Sequence, residues 1–300
     1  MQTPVKWWNK WWDHFFQPQK PMNREENPES TTPKQLPVFD LRIQLFGHVR
    51  CFASNREIPE MSSPQHTLLL AYFARHAGQK IRRDQLIGQF WPDVHQESAR
   101  NSLNVALCHI RRHFRQYVRP QEQIIVHQRG CYRFNPNWII QTDVQRFEQY
   151  LQQGQQLEKT LDTAGAFRAY RRAAQVYSGD LLSAFPYEEW TGTPREQLRQ
   201  RYLQALEGLG ICHLQRNESQ AARATFQQML QRDPYLERAH QLLMWCYAKE
   251  GQRDLAIRQY RKCQSLLLQE FGLEPSSQTQ TLYHCIVSGE ALQTAFLSRA

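Results

Sequence analysis

No stretch of this 300-residue chain holds the roughly 18–20 consecutive apolar residues that cross a bilayer, so a membrane-spanning helix is not expected. The N-terminus has no apolar core followed by a small-residue cleavage site, which argues against a secretory leader. Its seven cysteines (Cys51, Cys108, Cys131, Cys212, Cys246, Cys263, Cys285) are odd in number, widely spaced and free of any C-x-x-C pair. That pattern predicts free thiols in a reducing compartment, hence a cytoplasmic protein, rather than a disulfide framework. The G-x-x-x-x-G-K-[ST] loop that cradles nucleotide phosphates is missing, as are H-E-x-x-H and G-x-S-x-G. The 11 histidines show no ligand spacing. No catalytic residue, cofactor or metal site is expected, and an enzyme is not expected.

What is present is an uneven charge. The net +9 divides into +1 over residues 1–36, +7 over 37–140 and +1 over 141–300. A generally basic surface would spread the excess, whereas a polyanionic partner concentrates it on one unit. With 41% apolar and 12% aromatic residues, the length suits two domains with cores of their own.

Residues 1–16 form an aromatic amphipathic segment, with Trp7, Trp8, Trp11, Trp12, Phe15 and Phe16 along one helical face. Such a patch either folds back on the protein, docks on a partner, or touches a membrane interface. Residues 17–37 are polar and proline-rich, a flexible linker. From residue 38 short apolar alternations over FDLRIQLFG, HVRCF and a piece near Ile58 predict a small antiparallel sheet. A helix follows from Pro64, with Leu68, Leu69, Tyr72 and Phe73 as its buried stripe and Gly78 at its end. Then come Asp84–Trp91, stopped by Pro92, Gln96–Phe114, and a hairpin over Ile124–Phe134. Beyond Thr142 the pattern is helical. Leu209, Ala222 and Phe226 return 34 residues later as Leu243, Ala256 and Tyr260, the tetratricopeptide spacing. Gly210 fills the small slot after Leu209, and Met244 replaces it in the second copy. Ala166 and Tyr170 suggest an earlier copy, offset by 56 residues through an insertion at 178–190.

A helix-turn-helix followed at once by a cationic hairpin is the layout of a winged helix. In the second helix, Leu103, Leu107, Ile110 and Phe114 form one stripe for the core. The other side presents Asn101, Asn104, Val105, Cys108, Arg112 and Arg115, flanked by Arg100, His109 and Arg111. Asn bonds adenine edges and Arg guanine edges in a major groove, and either can hold a phosphate. Gln128 and Arg129 at the hairpin tip suit a narrow minor groove. Arg82, Arg83 and the region of Trp91 are candidate phosphate contacts. The expected fold is an α+β winged helix-turn-helix domain (38–140) followed by an all-α tetratricopeptide-like repeat domain (141–300).

Residues 40–300 resemble the SARP family of bacterial transcription regulators, in which an OmpR-type winged helix precedes a bacterial transcriptional activation domain. The resemblance rests on LRIQLFG (41–47), RDQLIGQFWPD (83–93), ESARNSLNVALCHIRR (97–112), TDVQRFE (142–148), GDLLSAFPYEEW (179–190), REQLRQRYLQALEGLG (195–210) and EFGLEPSSQTQTLY (270–283). It implies a cytoplasmic regulator that binds direct repeats of double-stranded DNA near promoters as a homodimer and contacts RNA polymerase. The recognition helix maps onto Ala99–Phe114 and the wing onto Ile125–Phe134. A tetratricopeptide protein–protein adaptor that no longer binds DNA is the alternative. The charge division argues against it, since an adaptor has no need for +7 on the winged helix.

Overall fold

The computed structural model describes residues 39–53, 56–117 and 123–290; the aromatic segment 1–16 and the linker 17–37 lie outside them. Strands β1 (Phe39–Gln44), β2 (Arg50–Ala53) and β3 (Arg56–Ile58) form an antiparallel meander, with Leu41 opposite Ala53 and Cys51 opposite Ile58. Period-2 alternation sends Leu41, Ile43, Cys51, Ala53 and Ile58 inward and leaves Arg42, Phe52 and Glu57 on the outer face. Helices α1 (Pro64–Arg75), α2 (Arg83–Phe90) and α3 (Gln96–Arg115) complete the domain core, with Pro64 at the start of α1 and Leu68–Ala74 buried. A second sheet has the order β4-β6-β5, from β4 (Ile81–Arg82), β5 (Ile125–Gln128) and β6 (Cys131–Phe134). The expected hairpin is therefore held by a third, two-residue strand placed between α1 and α2. A further strand absent from the sequence reading, β7 (Trp138–Thr142), runs parallel to β1 and closes the first sheet in the order β3-β2-β1-β7.

The remainder is helical: α4 (Asp143–Lys159), α5 (Thr163–Val176), α6 (Glu189–Gln215), α7 (Ser219–Arg232), α8 (Glu237–Lys249), α9 (Arg253–Phe271) and α10 (Ser277–Ser288). Three helix pairs share one design. Each pair turns through a residue in the left-handed region: Leu161 (φ 60°), Asn217 (φ 60°) and Gly251 (φ 75°). These sit 56 and 34 residues apart, the two offsets expected from the sequence. A methyl group on Gly210 would lie 2.2 Å from Phe226 Cε1, and one on Gly154 would lie 2.6 Å from Tyr170 Cε1. Both pairs thus close by the same glycine-against-aromatic contact. In the last pair Met244 takes that slot and shares a separate small core with Ala256, Tyr260, Leu282 and Ile286.

The two halves meet along the end of β1. Leu45 N–H and Phe46 N–H donate to the Asp143 carboxylate at 2.8 and 2.9 Å. The carbonyls of Leu45 and Gly47 accept from Leu182 N and Ser183 N at 2.8 and 3.1 Å. Gly47 N–H donates to Asp180 O at 2.9 Å, and Phe46 O accepts from Ser178 Oγ at 3.1 Å. Every backbone polar group of Leu45–Gly47 is therefore satisfied from the helical half, as burial requires. The insertion at 178–190 supplies most of these partners. Arg195 holds it in shape by donating to the carbonyls of Leu181, Phe185 and Pro186 and to Thr191 Oγ1. Fully buried Phe46 packs on Phe147 and Tyr177, and Tyr177 stacks on Tyr202 at 4.1 Å.

Candidate nucleic-acid interface

Helix α3 buries Ala99, Leu103, Ala106, Leu107, Ile110 and Phe114 in the core of the winged helix. One face is thereby fixed inward, and helical geometry fixes what the other presents. Arg100, Asn101, Asn104, Cys108, His109, Arg112 and Arg115 are exposed. Val105 stands among them 53% exposed, an apolar group suited to a thymine methyl in an otherwise polar surface. Arg112, His113 and Arg115 occupy the last turn, where cations complement the helix dipole. His109 stacks on His66 of α1 with ring centroids 5.1 Å apart. Burial, reinforced by the neighbouring His109, lowers the His66 pKa below the ordinary imidazole value.

Arg111 departs from the expectation. It is half-buried, and its Nε donates to the carbonyl of Ile125 at 3.0 Å, tying α3 to the first strand of the hairpin. Desolvation lowers its pKa, as expected for a guanidinium drawn partly out of water. It is a brace between helix and wing. Trp91 is only 8% exposed and packs on Phe90, so its side chain belongs to the core.

The hairpin turns through Arg129 (φ 51°) and Gly130 (φ 76°), both central residues left-handed, as a two-residue type I′ turn demands. Asn-Gly is the favoured pair there; arginine adopts this conformation at a cost of about 1 kcal/mol. The hairpin tip thus holds an exposed cation in a conformation its residue type disfavours. Gln128 is exposed beside it and accepts from Arg133 at 3.3 Å. Arg133 was not singled out in the sequence, although alternation along β6 places it on the same face as Cys131. Of the two arginines at the start of α2, Arg82 is exposed. Arg83 instead leans over Tyr132 at 6.0 Å and donates to His127 at 3.4 Å, while its backbone N–H donates to Gly130 O at 3.1 Å. The helix-turn-helix and the wing are thus joined at two points, Arg83 and Arg111. The structure brings α3 and the hairpin together and leaves His66 and Arg133 as additions. The His66 contact bridges 43 positions of sequence and left no local signal.

A polar, cationic helix face beside an Arg-tipped hairpin defines a winged-helix DNA-binding protein. Comparison with known proteins carries this further. Residues 60–134 match the family of the transcriptional regulatory protein C-terminal domain, and residues 142–287 match the bacterial transcriptional activator domain. Over 247 residues the chain is 22% identical to the transcriptional regulatory protein MoaR1 of Mycobacterium tuberculosis, covering 82% of this chain and 79% of MoaR1. It is also 22% identical over 250 residues to the regulatory protein AfsR of Streptomyces coelicolor, covering 83% of this chain but 24% of AfsR. The solved structure of EmbR from Mycobacterium tuberculosis shares the fold with a TM-score of 0.75 at 18% identity, covering 85% of this chain and 67% of that one. The chain joins an OmpR-type winged helix to a bacterial transcriptional activator domain, the arrangement of the SARP family, and is a DNA-binding transcriptional regulator. Among the described residues no helix is long and apolar enough to cross a membrane.

Proposed function

We propose that this regulator reads direct repeats near promoters in the cytoplasm as a pair of copies and activates transcription by presenting its helical repeats to RNA polymerase, with no catalytic step. The domain limits are 38–140 for DNA binding and 141–300 for activation. Helix α3 enters the major groove. Arg100, Asn101, Asn104, Val105, Cys108 and His109 line the approach to base edges, and Arg112 and Arg115 reach bases or flanking phosphates. Arg129 and Gln128 enter the adjacent minor groove, and Arg82 holds a phosphate. Arg111 and Arg83 set the angle between helix and wing. The observation that carries this reading is the exposed, Asn- and Arg-bearing face of α3, rigidly backed by six buried residues.

Selection from a pool of random-sequence duplexes with the purified full chain should enrich a motif repeated head to tail. On that motif, Arg112→Ala should weaken binding by roughly 1–3 kcal/mol if it reads a base, or flatten the salt dependence by about one unit if it holds a phosphate. Arg111→Ala should weaken binding with the salt slope unchanged, because it acts through the wing. An unenriched pool, or Arg112→Ala binding like the parent, would overturn the assignment.

A further inference from the structure

The outer face of the first sheet meets the first helix pair in an open cleft of about 840 Å³, within the roughly 300–1,000 Å³ typical of small-molecule sites. Three arginines from three elements converge on it: Arg42 of β1, Arg146 of α4 and Arg172 of α5. Asp143 is the one carboxylate in the lining, and its oxygens are occupied by the backbone N–H groups of Leu45 and Phe46. Among the described residues, Arg146 and Arg172 have no carboxylate within 4.0 Å. Arg172 lies 5.8 Å from the Tyr150 centroid, and Arg42 lies 5.9 Å from that of Phe52. A ring orients a guanidinium without neutralising it. Like charges gathered around a concave surface repel one another, and a polyanion between them removes that repulsion.

We propose that this cleft binds a small organic di- or triphosphate, held by Arg146 and Arg172 from the helical half and Arg42 from the winged helix. Guanidiniums bind phosphoryl oxygens through paired, charge-assisted hydrogen bonds. The duplex bound by α3 is a poor candidate for the occupant. The inner face of the sheet lies against α1 and α3, since Cys51, Ile58, Leu70 and Phe114 line one shared cleft. The arginine-lined cleft therefore opens on the back of the sheet layer, and the reading face on the far side of the helix layer. An anion seated there touches both halves and favours their present arrangement, and its binding stands or falls independently of which DNA sequence is read.

Calorimetric titration of the full chain with pyrophosphate and with ADP, in a buffer free of sulfate and phosphate, tests this. Saturable binding of one molecule per chain is expected. Arg146→Gln and Arg172→Gln should each weaken it by roughly tenfold or more, with duplex affinity unchanged in a gel shift. Gln175→Glu, at an exposed position of the same lining, brings in a carboxylate and should weaken it as well even if an arginine variant fails to fold. Three results overturn the proposal: no saturable uptake of either probe, uptake equal in parent and variants, or displacement of ADP by random-sequence duplex with parallel loss of duplex affinity in the variants. The last would assign the cleft to the DNA backbone.

Discussion

At the scale of single residues, Asp143 carries the clearest electrostatic consequence. Its half-buried carboxyl sits beneath the end of β1, and desolvation pushes its pKa up to about 6 against the opposing pull of several backbone N–H groups. A raised acid pKa means that the folded state favours the protonated form. The associated stability is fully present below the unfolded value of about 3.9 and is lost as pH rises through about 6. Asp143→Asn cannot titrate, and its amide turns an N–H₂ toward one of two backbone donors, at a cost of roughly 1–3 kcal/mol. Urea unfolding of parent and variant across this range should show the parent losing stability relative to the variant between about pH 4 and 6.5, then holding level. A pH-independent difference would remove this role from Asp143. Residue type alone pointed to none of this; Asp143 reads in sequence as an ordinary first-turn acid, and only the returning strand covers it.

Among the elements, the repeats were the most legible and the sheet the least. The 34-residue return of Ala222 and Phe226 as Ala256 and Tyr260 is a local pattern that any helix pair of this type must repeat, because small residues admit the partner helix. The earlier copy was recognisable by Ala166 and Tyr170, but its glycine, Gly154, became meaningful only when seen against the Tyr170 ring. Strand β7 escaped notice since its partner β1 lies about a hundred positions away and it is flanked by Pro136 and a helix start. The face of α3 was readable by its period, whereas the bond from Arg111 to Ile125 depends on a neighbour the period does not name. The glycine contact yields a test at this scale. Gly210→Ala should destabilise the protein by about 1–3 kcal/mol through overpacking against Phe226. Gly192→Ala, in the same helix with nothing within 4 Å, should be stabilising by up to about 1 kcal/mol. Equal melting temperatures for the two variants would show that the α6–α7 contact is looser than the structure makes it.

For the whole molecule, the junction decides how separable the two activities are. A fragment of residues 37–140 keeps the three helices and the wing, yet it loses Thr142, Asp143 and the entire insertion. The buried backbone of Leu45–Gly47 and the Phe46 ring would then face water. Stripping those partners leaves several polar groups to be resatisfied and a large apolar side chain exposed. Such a fragment should melt well below the parent and show reduced amide protection at residues 41–47, while retaining duplex binding through α3. A melting temperature equal to that of the parent would mean that the winged helix is self-sufficient.

The grip on Leu45–Gly47 has a mechanical meaning as well. Asp143 holds this tripeptide from one edge and the 178–190 insertion from the other, while β7 runs alongside β1 and passes straight into α4. The halves are therefore riveted at separated points instead of strung on one bond, and rotation about any single backbone torsion cannot swivel one against the other. A twist imposed on the winged helix by the pitch of the duplex travels into the helical repeats as a lever arm, so the direction in which that surface points is set by the angular position of the bound site around the DNA axis.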